Sequence, residues 1–196
     1  MCLEIRPALT GNDLDRIGAL RHRVFAEEGR FYPTRPDGRV LDVFDCVPTS
    51  LNLGAYHENR LIASVRVTRD DPVYGLPSDP HYGFRSRPDI APTGLVASSH
   101  LCCDREARGR IGVLHALMRV AYLWVMDHQG QTVIAVFNPA VQRLMTRLGF
   151  HALEQRPCPS LAMDTEIVPM MAPVTGFSDH IVSLYWTRDR RQTESF

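Results

Sequence analysis

Leu14, Ile17, Leu20 and Val24 recur at helical spacing, an apolar stripe that predicts a helix running through Phe25. Asn12 or Asp13 is the expected cap. Residues 3–6 before it read as a short first strand. Residues 51–56 and 61–68 are apolar runs separated by His57-Glu58-Asn59-Arg60, the pattern of a hairpin. Residues 94–103 read as a buried strand, and 112–128 as a helix with Leu114, Leu117, Ala121 and Val125 on its inner stripe. Residues 131–137 are dense in β-branched side chains and predict another strand. Asn138 suits the cap of a following helix, Pro139 its first turn and Gly149 its end. Residues 150–155 and 180–188 are expected as the last strands. Residues 157–176, with Met163, Met170 and Met171, are expected as an irregular excursion between them.

Two polar stretches interrupt this pattern. Residues 29–38 are rich in Gly, Pro and Arg; residues 70–92 are rich in Pro, Gly, Tyr and Asp. A loop as long as the second, inside a compact domain, is usually functional. The expectation is one mixed α/β domain over residues 1–188 and a polar tail over 189–196. With 44% hydrophobic and 22% charged residues, the chain can bury a core, and extensive disorder is not expected. Lys+Arg and Asp+Glu balance at 22 each, so net charge gives no push toward nucleic acid or anionic membrane. No apolar run approaches the ~20 residues that span a bilayer. Cys2, Cys46, Cys102, Cys103 and Cys158 form no CxxC pair and no zinc spacing, and no secretory signal precedes them. Reduced thiols, a cytoplasmic location and no metal are expected.

The stretch Leu101-Cys102-Cys103-Asp104-Arg105-Glu106-Ala107-Arg108-Gly109-Arg110-Ile111-Gly112 carries the most chemistry. A strand ends, a Gly- and Arg-rich turn follows, and a helix begins. Free N–H groups at such a helix start can meet phosphate oxygens, and Arg108 and Arg110 can add charged donors. The same glycines can serve only to shape a turn. Neither a Walker loop nor a dinucleotide-binding fingerprint is present.

With Asn138-Pro139-Ala140-Val141-Gln142-Arg143-Leu144-Met145-Thr146-Arg147-Leu148-Gly149-Phe150 following at the expected distance, the chain resembles the GNAT superfamily of acyltransferases. The resemblance implies a central twisted sheet of about seven strands flanked by helices, splayed where the co-substrate enters. It implies an acyl-CoA or phosphopantetheine thioester as co-substrate. It places the pantetheine along Leu101, Cys102 and Cys103, the phosphates on Arg108, Gly109, Arg110, Ile111 and Gly112, and the thiol end near Asn138. The usual turn is Gln/Arg-x-x-Gly-x-Gly/Ala. Here Ile111 or Arg110 occupies one of the small positions, which leaves both free coenzyme A and a carrier protein open as donor.

Arg21, Phe25, Phe31, Asp42, Asp45 and Arg66 form a second pattern. Their order and spacing resemble the acyl-homoserine-lactone synthases and the related N-acyl amino acid synthases, a GNAT branch. By their chemistry the aspartates can attract an ammonium group, and the arginines can hold them or a carboxylate. A structural ion-pair network is the competing reading. The lactone synthases carry a Glu and an Arg where this chain has Ala97-Ser98-Ser99-His100, so S-adenosylmethionine and lactone formation are not expected.

The function expected is N-acylation of the amine of a small molecule or amino acid, with acyl-CoA or an acyl carrier protein as donor. An aminoacyl-tRNA donor or a non-catalytic binding module are the alternatives. A tRNA donor would require a basic surface continuous with Arg105, Arg108 and Arg110. His100 is the candidate base, since its ring titrates near neutrality, and Ser98 and Ser99 can orient a water. Strand alternation puts Ser98 and His100 on one side and Ser99 on the other. Many GNAT members place a proton-donating Tyr where this chain has Met145. A covalent route through Cys102 or Cys103 has no partner pattern to support it. The Met-containing excursion can line an acyl pocket or cover the core.

Overall fold

The computed structural model describes residues 3–91, 93–160 and 165–176. The chain runs β1 (Leu3–Pro7), α1 (Gly11–His22), β2 (Ser50–His57), β3 (Arg60–Arg69), α2 (Asp79–Tyr82), β4 (Leu95–Cys103), α3 (Ile111–Asp127), β5 (Thr132–Phe137), α4 (Gln142–Arg147), β6 (His151–Ala152), β7 (Cys158–Pro159) and β8 (Glu166–Pro173). Among the described residues the sheet has eight strands, against about seven expected, in the order β1-β2-β3-β4-β5-β8-β6, with β7 pairing β8. Among the described residues every strand pairing is antiparallel except β4 with β5.

The β2–β3 hairpin turns through Glu58 and Asn59, both at positive φ. α1 is capped by Thr10, not by Asn12 or Asp13: the Thr10 hydroxyl accepts from the Asp13 amide, and Asp13 closes the capping box. α1 passes into a single π-helical stretch, Arg23–Glu28, a geometry common beside functional sites. α3 follows its expected stripe: Leu117, Ala121 and Val125 are buried against Val65, Val96, Val133 and Ala135 on one face of the sheet.

Within the expected excursion at 157–176, Glu166–Pro173 form a strand, not irregular chain. β8 lies between β5 and β6, with Val168 opposite Phe137 and Met170 opposite Ala135. Met170 is fully buried, so it fills the core and lines no pocket. The strand expected over 150–155 pairs with β8 at His151 and Ala152, and the Leu153 amide donates to the Pro169 carbonyl. The one expected over 180–188, Met163 and the tail all lie outside the described residues. The described part of the 70–92 stretch, residues 70–91, folds over the sheet face opposite α3, burying Leu76, Phe84 and Ile90 against Leu95, Ala97 and Ile134.

Candidate active site

β4 and β5 pair from Leu95 with Thr132 to Ser98 with Ala135 and no further. Beyond that point β4 stays with β3, while β5 continues along β8 to Phe137, so a wedge opens between two strands of one sheet. The Asp104 amide donates to the Ile62 carbonyl. Alternation along β4 then turns the Cys103 and Leu101 amides away from β3, toward the wedge. Cys102 bonds Ser64 across β3. Burial raises both cysteine thiols, Cys103 to about 11, which keeps them protonated and poor nucleophiles.

At the mouth of the wedge, β4 bulges. Ser64 faces Cys102 and Arg66 faces Ser99, so Val65 alone opposes His100 and Leu101. His100 takes the extra position at φ 52, a left-handed conformation uncommon for a residue with a side chain. The bulge overturns simple alternation. Ser98, paired with Ala135, faces α3. Ser99 and His100 face the other side together: Arg66 Nε donates to Ser99 Oγ at 3.0 Å, and the His100 ring packs on Phe25 and Tyr32. Ser98 and His100 are thus separated, and Ser99 is the serine beside the imidazole.

The N-terminal constellation assembles on that side. Arg21 and Arg66 are both fully buried. Asp45 Oδ1 accepts from Arg21 Nη1 at 2.7 Å and lies 3.1 Å from Arg66 Nη1. Asn52 Oδ1 accepts from Arg21 Nη2 at 2.8 Å. Asp42 receives both terminal nitrogens of Arg66, at 2.5 and 3.0 Å, and its side chain is 42% exposed. Burial pushes the Asp45 carboxyl up, but the two guanidiniums outweigh it and hold it below the usual range. Arg21 and Asp45 therefore lie beneath the site, while Asp42 and His100 border its surface. Phe25 is half-buried beside them. Phe31 folds back onto Gly29; the ring that covers His100 is that of Tyr32, one residue on. Tyr32 gave no signal in the chain beyond adjacency to the aromatic position.

The His100 Nδ1 atom is buried with no hydrogen-bond partner. Burial, then the charges of Arg21 and Arg66, hold the imidazole well below its ordinary range, so it is neutral near pH 7. Among the described residues, Asp42, Asp45 and His100 are the group whose ligand atoms come together closely enough for a cation. The two guanidiniums already balance the two carboxylates, which disfavours a metal ion there.

The turn after β4 leads into α3 as expected. Gly109 sits at φ 84, a conformation glycine adopts without strain. Arg110 occupies the N-cap without a side-chain cap bond, and Ile111 begins the helix. Among the described residues the Gly109 and Gly112 amides have no acceptor. A Cβ on either glycine would meet nothing within 4 Å, so both backbones face open space. Arg108 pairs with Glu28 and donates to the Cys103 carbonyl. Arg23 holds Asp104 at 2.7 Å, and Arg60 holds Glu106 at 2.7 Å. Acidic residues thus interrupt the basic ones, and the charge around the turn is mixed, not the continuous basic surface a tRNA donor would need. Across the wedge, Asn138 caps the turn before α4 by accepting from the Ala140 amide. Met145 is buried in the core.

On the same face as His100, an open groove of about 780 Å³ lies between Pro169 of β8 and residues 81–87. Tyr82, Phe84, Leu153 and Pro169 supply its apolar wall, and Arg87, Glu154 and Arg156 its polar rim. Pro169 pairs with Val136, the residue just past the point where the wedge opens.

Solved structures share this architecture. An N-acyl amino acid synthase, FeeM, from uncultured soil microbes superposes with a TM-score of 0.73 at 13% identity, covering 91% of this chain and 94% of that one. A CoA-dependent acyl-homoserine lactone synthase, BjaI, gives a TM-score of 0.68 at 17% identity over 91% and 88% of the two chains. An acyl-CoA N-acyltransferase from Pseudomonas aeruginosa gives 0.63 at 22% identity over 87% and 99%. A comparison with curated protein sequences finds no match. The model of the family described as N-acyl amino acid synthase FeeM matches residues 16–173, which span the wedge, the turn and the ion-pair network together. This chain is therefore a member of the FeeM N-acyl amino acid synthase family, an N-acyltransferase on a GNAT-type fold.

Proposed function

We propose that the protein transfers an acyl group from a phosphopantetheine thioester, on coenzyme A or on a carrier protein, to the amine of an amino acid. The observation that carries this reading is the wedge: two strands of one sheet part beside a helix start with free amides. A pantetheine arm laid in the wedge replaces the missing β5 partner of β4. The Gly109 and Gly112 amides, with Arg110, receive the phosphate at its far end. The thioester carbonyl then lies by the Leu101 and Cys103 amides, which stabilise charge developing on its oxygen. The acyl chain runs from Val136 over Pro169 into the groove, and the amine arrives from the Asp42 side. His100 takes the amine proton. The amine nitrogen bonds the carbonyl carbon, the carbon–sulfur bond breaks, and the electron pair leaves on sulfur. With Met145 where a donor hydroxyl would stand, water protonates the thiolate.

The test supplies octanoyl and hexadecanoyl thioesters, each on coenzyme A and on an acyl carrier protein, with a mixture of amino acids. Free thiol and amide should appear in equal amounts, and His100→Gln should slow both by at least about 100-fold. A rate that depends on the carrier and fails with coenzyme A names the carrier as donor; the reverse names coenzyme A. No amide from any of the four donors overturns the reading.

A further inference from the structure

Arg108 follows the 3-10 turn Arg105–Ala107. Its amide donates to the Asp104 carbonyl at 3.1 Å, and the Arg110 amide donates to the Ala107 carbonyl at 3.1 Å. The backbone here is fixed, while the Arg108 side chain is 46% exposed. That side chain folds back over the end of β4. Nε donates to the Cys103 carbonyl at 3.2 Å, and Nη2 pairs with Glu28, the last residue of the π-helical stretch. The N–H and C=O of one strand residue point the same way, so the Cys103 carbonyl faces the wedge together with its amide. Arg108 therefore occupies a main-chain acceptor that a pantetheine amide would use. Its charge is directed at Glu28, away from the free Gly109 amide next to it in the chain.

The neighbouring ion pairs are built differently. The buried Asp104 carboxylate accepts from Arg23 at 2.7 Å, from Arg60 at 3.2 Å and from the Glu106 amide at 3.1 Å, so losing one donor leaves two. Among the described residues Arg108 is the one partner of Glu28. Both side chains of that pair meet water, and such a pair contributes little to stability. A phosphate offers the guanidinium more charge and a planar pair of acceptors. Because Arg108 directly precedes Gly109, an anion on the Gly109 amide lies within reach of its side chain without movement of the backbone.

We propose that Arg108 is a latch on the donor site: in the free protein it bridges the Cys103 carbonyl and Glu28, and on donor entry it leaves both and clasps the phosphate beside Gly109. The inference rests on the acyl-transfer reading above and adds the residue that sets donor affinity. The exchange satisfies every group it frees. The Cys103 carbonyl accepts an N–H of the pantetheine arm, the Glu28 carboxylate passes to water, and the guanidinium trades one carboxylate for a phosphate. Glu28 thus opposes donor binding although it touches no part of the donor.

The experiment is a double-mutant cycle on donor binding, read by isothermal titration calorimetry with octanoyl-coenzyme A and with octanoyl-phosphopantetheine. Glu28→Gln releases the guanidinium and should lower Kd by at least about threefold. Adding Arg108→Met to Glu28→Gln should raise Kd by about fivefold or more, through loss of the phosphate contact. In the Arg108→Met protein, Glu28→Gln should leave Kd within about twofold, because the pair it would break is already gone. An unchanged Kd in Glu28→Gln overturns the latch. So does equal tightening with and without Arg108, which reports only the loss of a negative charge. Both results leave the donor reading standing. Binding of neither compound by the natural protein or by Glu28→Gln overturns the donor reading and the latch with it.

Discussion

Arg21 and Arg66 are two guanidiniums with essentially no exposed surface, and they share one buried carboxylate, Asp45. Burying an ion is costly unless it is paired, so removing a shared partner costs more than its own bonds suggest. Arg21 Nε is already unpaired, which leaves little reserve. Asp45→Asn should destabilise the protein by about 3–5 kcal/mol, read from urea melts. Asp42 also binds Arg66, but at the solvent boundary, where water replaces the lost carboxylate; Asp42→Asn should cost about 1 kcal/mol. Equal losses in the two variants would show that burial does not rank these aspartates. The same ranking divides the residues recognised in the chain. Their spacing pointed to one cluster, but only burial separates the supports, Arg21 and Asp45, from the residues a substrate can touch, Asp42 and His100.

At the scale of elements, the turn into α3 allows binding and stability to be separated. Gly112 lies in the first turn of the helix, and a Cβ there meets no protein atom within 4 Å. Gly112→Ala should therefore hold or raise stability, by up to about 1 kcal/mol from helix propensity. Its methyl group would occupy the space in front of the free amides and raise the KM for a phosphopantetheine donor several-fold. Loss of stability with unchanged KM would mean that the turn holds no phosphate. Elements with strong periodicity were legible in the chain: α1, the hairpin and α3 lie within a few residues of their expected bounds. β8 was not, because Pro169 and two methionines obscure a strand that is central only through partners distant in sequence. The bulge at His100 was also hidden. An extra residue on one strand is defined by its register with another, and it reversed which serine accompanies the histidine. Thr10 is the cap although its neighbours are more conspicuous in the chain: the capping box pairs it with Asp13, so the acidic residue supports the cap from inside the helix.

For the molecule as a whole, holding a neutral imidazole beside two guanidiniums links folding to pH. His100 is faced by Arg21 from α1, Arg66 from β3, Asp42 and Asp45 from the turn between them, and Tyr32 from the loop after the π-helical stretch. Its folded-state pKa lies well below 6.5. As pH falls through 6.5, the unfolded chain takes up a proton at this position and the folded protein does not. Stability from this group is complete above about pH 6.5 and declines below it, with a limiting slope of about 1.4 kcal/mol per pH unit. The lowered carboxyl of Asp45 acts in the same direction, but its stabilisation is lost only as pH falls below 3.8, so the two contributions occupy separate windows. Denaturant melts of the natural protein and of His100→Gln between pH 7.5 and 5.5 isolate the first, since the remaining histidines are common to both and cancel in the difference. The natural protein should lose stability faster over that interval by up to about one proton's worth. Parallel curves would mean that His100 takes up its proton as readily in the folded protein as in the unfolded chain, so that neither burial nor the guanidiniums shift it.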